Sequence, residues 1–157
     1  MKKAQAALEY LMTYGWAILI IAIVAAALYY MNVFGGACSP SATGFPPSGG
    51  VTILTGEFLI QTTGSSEIVL RNNAGQQVTV SNVVFSCTTG CTAGTVIDAG
   101  GTINSGGTLT VTPSFAARLP ASVTTGDCYR YGVTISYTTA SLTTTQTATG
   151  TIQGAYQ

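Results

Sequence analysis

Four cysteines are the residues of this chain with the clearest chemistry. Cys38, Cys87, Cys91 and Cys128 all lie beyond residue 37. An even number of cysteines outside the reducing cytosol is typical of disulfides. Cys87 and Cys91 bracket a short segment with a turn at Gly90, and that pairing would leave Cys38 for Cys128. Four cysteines allow three connectivities, so the sequence alone leaves the pairing open. A zinc site is the alternative, but the Cys-x3-Cys spacing comes without histidine.

Catalytic chemistry has little support in this composition. The chain has no histidine, which removes the commonest general base and the commonest metal ligand. Beyond residue 56 the acids are Glu57, Glu67, Asp98 and Asp127, and no two are close in sequence. Glycines near Asp98 and Asp127 favour turns at both. We therefore expect no enzyme, no metal and no cofactor. The net charge is zero and 6% of the residues are charged, so nucleic acid is not an expected partner.

The chain has two regions of different physical character, and these regions must position the cysteines and the acids. From position 10 to position 56 no residue is charged, and 10–33 is apolar apart from Thr13, Gly15 and Asn32. As a helix, 10–33 would be about 36 Å long, enough for a ~30 Å hydrocarbon layer. A helix that is apolar on every face must be buried in lipid or among other helices. The sequence thus predicts a hydrophobic helix at 5–36, which is followed by a linker rich in proline and glycine at 37–50.

Alternation of apolar and polar residues, with many β-branched side chains, begins after the linker. It predicts seven strands, separated by turn signals. They lie at 51–55, 57–62, 67–71, 77–85, 108–112, 129–139 and 141–152. Such spacing is typical of a Greek-key, immunoglobulin-like β-sandwich. The predicted fold class is therefore α+β, with a long hydrophobic N-terminal α-helix followed by an all-β globular head at 51–157.

The first ten residues are MKKAQAALEY. Two lysines ahead of the apolar run favour a cytoplasmic N-terminus and an external β-domain. This N-terminus, together with the run EYLMTYGWA at 9–17, resembles archaeal type IV pilin precursors. The resemblance covers roughly the first 34 residues. In that family a short basic leader, here 1–4, is a class III signal peptide cut between residues that match Ala4 and Gln5, and Glu9 then takes the fifth mature position.

What the resemblance implies is a structural role. The chain would be the major pilin of an archaeal type IV adhesion pilus, a membrane precursor that becomes an extracellular homopolymer. Its implied partners are a prepilin peptidase, an assembly ATPase with its membrane platform, the membrane itself and, through the pilus, surfaces or cells. Glu9 would assist assembly by neutralising the Gln5 amine of a neighbour; alternatively, it only caps the helix N-terminus. The predicted filament-core and membrane residues are Tyr10, Leu11, Tyr14, Trp16, Ile18, Ile20, Ile21, Ile23, Val24 and Leu28.

Other interpretations of the N-terminus are open. Gly35, Gly36 and Ala37 are small residues after an apolar run, so a secretory signal peptide could be cut after Ala37. Against this, the apolar run exceeds the ~7–15 residues of a signal-peptide core. A monotopic membrane-anchored or secreted surface β-domain protein is the second alternative, and an archaellum-like filament subunit is the third.

Overall fold

A computed structural model describes residues 2–30 and 38–157; within the N-terminal helix it describes the side chains at position 12 and from 14 to 28. The chain divides into two compact units, Met1–Ala37 and Cys38–Gln157. The predicted linker at 37–50 therefore contributes its residues from Cys38 onward to the folded second unit.

Helix α1 covers Lys2–Tyr30. Its sequence contains neither proline nor a β-branched run at its start, and alanine and leucine, the strongest helix formers, recur along it. The stretch from 14 to 28, where every side chain is described, is 15 residues long. Among the described residues, no helix combines the length and the apolarity that a membrane crossing requires.

The predicted fold class is therefore wrong. Strand makes up 51% of the residues described in full, and the helix contributes only 15. An α+β domain needs helices that pack on its sheet around a shared core. Here the core is built from residues between Val51 and Tyr156, all in the second unit, Cys38–Gln157, which we call the β-unit. The chain is mostly β, and the long apolar membrane helix predicted at 5–36 is not supported.

Nine strands and one short 3-10 helix, Ala116–Arg118, form the second unit. In chain order the strands are β1 Ser41–Thr43, β2 Val51–Ile60, β3 Ser66–Asn72, β4 Val78–Thr89, β5 Thr95–Ala99, β6 Thr102–Ile103, β7 Thr108–Val111, β8 Cys128–Thr139 and β9 Leu142–Ala155.

Two sheets make a β-sandwich, as the sequence predicts. The larger sheet has the order β1-β9-β8-β4-β5, with β6 paired to β4, and the smaller has the order β2-β3-β7. All strand pairs are antiparallel. The chain crosses between the sheets after β1, β3, β6 and β7, so sequence neighbours are often separated in space. Strand β8 lies in the middle of the larger sheet, between β9 and β4.

The core lies between the inner faces of both sheets. Strand β8 shows the period of two clearly, since Tyr129, Tyr131, Val133, Ile135 and Tyr137 are all buried and the residues between them are more exposed. Each large apolar side chain contributes about 1.5–3 kcal/mol when it leaves water. The aromatic rings at one end of the core pack at centroid distances of 4.8 to 5.9 Å.

The strand predictions differ from the structure at glycines and in the linker. The predicted strands at 51–55 and 57–62 are one strand, β2, with a bulge at Gly56, where φ is 84°. Strands β5 and β6 are absent from the prediction because they lie in glycine-rich sequence. Strand β1 lies in the predicted linker, and it pairs with β9 about 110 residues later.

Candidate functional site

Helix α1 exposes apolar side chains on every side of its described stretch. Ile18, Leu19, Ile20 and Ile21 are consecutive and are 66%, 59%, 48% and 68% exposed. Consecutive helical residues point about 100° apart, so these four cover the whole circumference. Tyr14, Trp16, Ile23 and Val24 are at least half exposed as well. The described stretch thus has an apolar surface with no polar face.

The predicted residues of this helix fall into two groups. Tyr14, Trp16, Ile18, Ile20, Ile21, Ile23 and Val24 are exposed, and Leu28 is half-buried. Ala4, Gln5, Glu9, Tyr10 and Leu11 lie within α1, but their side chains are outside the described residues. The cleavage position and the role of Glu9 therefore stay predictions.

Two disulfides hold one end of the β-unit. Cys38 is bonded to Cys128, which we call the anchor bridge, with the two Cα atoms 5.6 Å apart. Cys87 is bonded to Cys91, which we call the loop bridge, with a Cα–Cα distance of 5.8 Å. Disulfides are thus present as predicted, and of the three pairings that the sequence leaves open the structure has Cys38–Cys128 with Cys87–Cys91. A zinc site is excluded for these thiols, because all four cysteines are used in the bridges.

The loop bridge and the anchor bridge meet at Gly90. A Cβ atom at Gly90 would collide with the Cys128 carbonyl oxygen, and its φ of 72° favours glycine. The Tyr156 hydroxyl donates a hydrogen bond to the Gly90 carbonyl at 3.1 Å. The ends of β4, β8 and β9 are therefore tied together at one place, which we call the strand junction.

Three tyrosines fill the core beneath the strand junction. Tyr129, Tyr131 and Tyr156, which we call the tyrosine cluster, are each at most 3% exposed. The hydroxyls of Tyr131 and Tyr156 are 3.3 Å apart and share a hydrogen bond. Burial, more than any neighbouring charge, raises the pKa of all three phenols above the ordinary value of 10.0. The cluster is neutral at physiological pH and has a structural role.

Asn72 is a structural residue whose role was not recognised from the sequence. It is fully buried. Its Nδ2 donates to the carbonyls of Gln76, Ile103 and Asn104 at 2.7, 3.0 and 3.1 Å, and its Oδ1 accepts from the Ala74 amide at 2.8 Å. One side chain thereby connects the turn after β3 to the loop after β6. The sequence shows only the turn signal at 72–75, because the other partners lie 31 and 32 residues away.

The acids of the β-unit are brought together only in part. Glu57 and Glu67 both line a surface pocket of about 340 Å³, with Leu59 and Val69 at its wall. Asp127 lies in the predicted turn, where its Oδ2 accepts from the Thr124 amide and hydroxyl. The turn predicted at Asp98 is wrong, because this residue lies within strand β5. The Oδ2 atom of Asp98 is buried and has no hydrogen-bond partner among the described residues.

These acids do not form a recognisable catalytic or metal centre in the part of the chain that the structure describes. No three histidine, cysteine or carboxylate side chains come close enough there to hold a metal ion. The pocket beside Glu57 and Glu67 faces no histidine, because the sequence contains none.

The class of protein follows from the bridges and the sheets. Disulfides form and persist in oxidising compartments, so this disulfide-bonded β-sandwich belongs to an extracellular or secreted protein. The chain matches no protein-family model, no curated protein and no solved structure.

Proposed function

We propose that the protein is the major structural subunit of an archaeal type IV adhesion pilus and that it polymerises through α1. The observation that carries the proposal is the apolar surface on every side of the described part of α1. A helix with this surface is stable only where lipid or other apolar helices surround it. Identical helices in a filament core would supply that environment, and the disulfide-bonded β-unit would face outside.

The energetics favour association of such helices. Each exposed isoleucine or leucine contributes about 1.5–3 kcal/mol when it is buried. Trp16 and Tyr14 add larger apolar areas and aromatic contacts. The described stretch has several such residues, so burial among neighbouring helices outweighs the roughly 4–15 kcal/mol that association costs in lost freedom of motion. The role that we propose is structural and involves no catalysis.

Before assembly the proposed precursor is held at the membrane with its leader on the cytoplasmic side. A prepilin peptidase cuts between Ala4 and Gln5, and an assembly ATPase with its membrane platform adds the subunit to the filament. The N-terminal sequence that resembles archaeal pilin precursors supports this route. Mass analysis of filament protein should show a chain without Met1 to Ala4. A mature chain that begins at Cys38 would contradict the proposal.

The filament role can be tested with two matched substitutions. Ile20 in α1 is 48% exposed and Leu142 in the β-unit is 50% exposed. Ile20→Asp should abolish filaments, because a carboxylate in an apolar helical core is strongly disfavoured. Leu142→Asp, at a residue of equal exposure in the β-unit, should leave filament number unchanged. Electron microscopy of cells that make each variant gives the answer.

Three outcomes would contradict the proposal. Secreted monomers without filaments in the wild type would indicate a monotopic or secreted surface β-domain protein. Filaments that are unaffected by Ile20→Asp would show that α1 is not their core. Filaments that rotate would indicate the archaellum-like alternative.

Glu9 offers a second test of the same proposal. In a helix, the amine of a mature Gln5 and the carboxylate of Glu9 would lie one turn apart on one face. If the charge positions an incoming subunit, Glu9→Gln should be processed normally, accumulate in the membrane and give few or no filaments. If Glu9 only caps the helix, worth about 0.3–1 kcal/mol, the variant should form filaments at near-normal yield. A normal filament number with unchanged helical rise would contradict the assembly role.

A further inference from the structure

We infer that neighbouring β-units contact each other through opposite faces of the sandwich, with a groove on the smaller sheet of one copy receiving Arg130 from the larger sheet of the next. The partner is thus a second copy of this chain. The inference rests on the proposed function, because a homopolymer brings copies of the β-unit side by side. The contact adds to the one that α1 makes and does not replace it.

Two adjoining surface pockets form one groove on the outer face of the smaller sheet, which we call the acidic groove. Their volumes are about 340 and 220 Å³, and Leu59 and Glu67 line both. Leu59 and Val69 are half-buried and give the groove an apolar wall, and the exposed side chains of Glu57 and Glu67 lie beside them. Neither carboxylate has a hydrogen bond or ion pair among the side chains that the structure describes. The acidic groove therefore suits a cationic side chain with an apolar stem, such as arginine.

The outer face of the larger sheet carries one such side chain. The strands of this sheet contain two charged residues, Asp98 and Arg130. Asp98 is opposite the fully buried Val83, and residues that are directly opposite in a sheet share a face, so Asp98 is on the core side. Arg130 is exposed and lies between the buried residues Tyr129 and Tyr131, so it points outward. Among the described strands, Arg130 thus carries the only charge of this face.

The guanidinium of Arg130 is positioned but still has donors to offer. Its Nη2 donates a hydrogen bond to Gln153 Oε1 at 2.7 Å, and Gln153 lies opposite Arg130 in β9. A guanidinium has five N–H donors, so four remain. No carboxylate among the described side chains pairs with it. Arginine binds carboxylates through two parallel hydrogen bonds, so a glutamate of a second copy is a suitable partner.

The acidic groove and Arg130 lie at the same end of the sandwich, on its opposite faces. A Cβ atom at Gly154 would be 2.8 Å from the Tyr129 hydroxyl and 3.6 Å from the Phe58 ring, so these two neighbours of the proposed contact residues meet in the core at this end. A contact between opposite faces is heterologous, because each copy uses two different surfaces. Every copy at an end then keeps one unused surface. The contact therefore repeats along a polymer and does not stop at a dimer.

Carbodiimide cross-linking of Arg130→Lys filaments tests the inference. Lysine occurs only at positions 2 and 3, inside the proposed leader, so the substitution gives the mature chain its only lysine side chain. A carbodiimide joins an amine to a carboxylate in contact with it, forming an amide while the reagent takes up the water. Peptide mapping of the cross-linked dimers should place this amide between position 130 of one copy and Glu57 or Glu67 of another. Any link through the Gln5 amine would also appear in the wild type.

Arg71→Lys is the matched control for the cross-link. Arg71 is exposed on the smaller sheet, but it lies outside the acidic groove, four residues and about 13 Å along β3 from Glu67. Its lysine should form no link to Glu57 or Glu67 of another copy. Arg130→Lys combined with Glu57→Gln and Glu67→Gln should lose the link.

Charge reversal provides a second measurement. Arg130→Glu and Glu67→Arg should each lower the temperature at which filaments dissociate, because each brings like charges together. The double variant exchanges the two charges and should restore that temperature. Arg71→Glu reverses a charge outside the acidic groove and should leave it unchanged. All three positions are exposed, so the melting temperature of the β-unit should stay near that of the wild type in every variant.

The outcomes separate this inference from the proposed function. Filaments in which position 130 links to neither glutamate of a neighbour would overturn the inference and leave the pilus role standing. A double variant that is no more stable than the single variants would overturn it as well. If the wild type makes no filaments, the pilus role fails, and the coupling is run on the full chain in detergent, where mapping separates position 130 from Lys2 and Lys3. A link from position 130 to a glutamate of another copy would then sustain the contact, and its absence would overturn the contact too.

Discussion

Replacing Asn72 with aspartate is the substitution whose effect the structure defines most sharply. Aspartate keeps the shape of the side chain and can still accept a hydrogen bond from the Ala74 amide. It loses the Nδ2 group, which donates to three carbonyls at 2.7 to 3.1 Å. It also places a negative charge at a fully buried position, next to the negative ends of those carbonyl dipoles.

The magnitude follows from the count of donors. An amide has two hydrogens, so one of the three bonds is shared and two donors are lost. The Asn104 carbonyl still accepts from the Gly107 amide at 2.9 Å, so the loss falls on the carbonyls of Gln76 and Ile103. A buried acceptor that is left unsatisfied costs about 1–3 kcal/mol, which gives roughly 2–6 kcal/mol for two before the charge is considered. The buried charge adds to this loss, and it raises the pKa of the new carboxyl above its unfolded value of about 3.9.

The pH dependence gives a second observable. A carboxyl with a raised folded-state pKa costs stability above the unfolded value, and the cost grows as the pH rises through the folded value. The deficit of Asn72→Asp should therefore be large at pH 7 and shrink towards pH 4. Asn72→Ala introduces no charge, and its deficit should change little across this range.

Differential scanning calorimetry of the wild type, the two variants and Asn73→Asp at pH 4 and pH 7 would measure these effects. Asn73 is the matched control, because it lies in the same turn but makes a single side-chain hydrogen bond, to the Thr52 hydroxyl at 3.3 Å. The reasoning would be refuted if Asn72→Asp lost no more stability than Asn73→Asp, or if its deficit were equal at both pH values.

Three further predictions concern the strand junction. Gly90→Ala should destabilise the β-unit by several kcal/mol more than Gly75→Ala in thermal melts, because φ is 72° at both positions but only the Gly90 methyl meets the Cys128 carbonyl; equal losses would contradict this. Removal of the anchor bridge, which closes a loop of 90 residues, should lower the free energy of unfolding in denaturant by about 4–5 kcal/mol, and removal of the loop bridge, which closes four, by about 2 kcal/mol. A larger loss for the loop bridge would show that loop entropy does not govern the difference. Burial raises the pKa of each phenol in the tyrosine cluster, so the neutral cluster stabilises the fold below pH 10, and this stability is lost at higher pH by up to about 1.4 kcal/mol per pH unit for each phenol. Tyr156→Phe should reduce the loss of unfolding free energy per pH unit in urea titrations from pH 9 to pH 12, and an unchanged loss would contradict this prediction.

The sequence predicts features that depend on near neighbours. Alternation in 129–139 gives β8 almost to the residue, because one face of the strand is buried and the other is not. Cys87 and Cys91 are close enough in the chain for their pairing to be favoured, and this leaves a single partner for Cys38.

Features that depend on distant partners could not be predicted. Strand β1 has too little strand sequence of its own and exists because β9 offers it an edge. In the sequence, Gly56 predicts a break between two strands. In the structure, β2 continues past Gly56 through a bulge, because β2 is paired with β3 on both sides of it. The fold class was wrong for another reason: hydropathy gives the length of an apolar run, whereas the class depends on which elements share a core.

The part of α1 from position 10 onward carries no charge, and this has a consequence for the environment of the protein. Between positions 10 and 56 there is no charge for dissolved ions to screen. Ions act on exposed charges over a Debye length of ~8 Å at physiological ionic strength, and strongly hydrated salts strengthen apolar burial. Contacts made through the described part of α1 thus have no ionic component to lose. Polymers joined by such a helix would keep their cohesion from fresh water to brine.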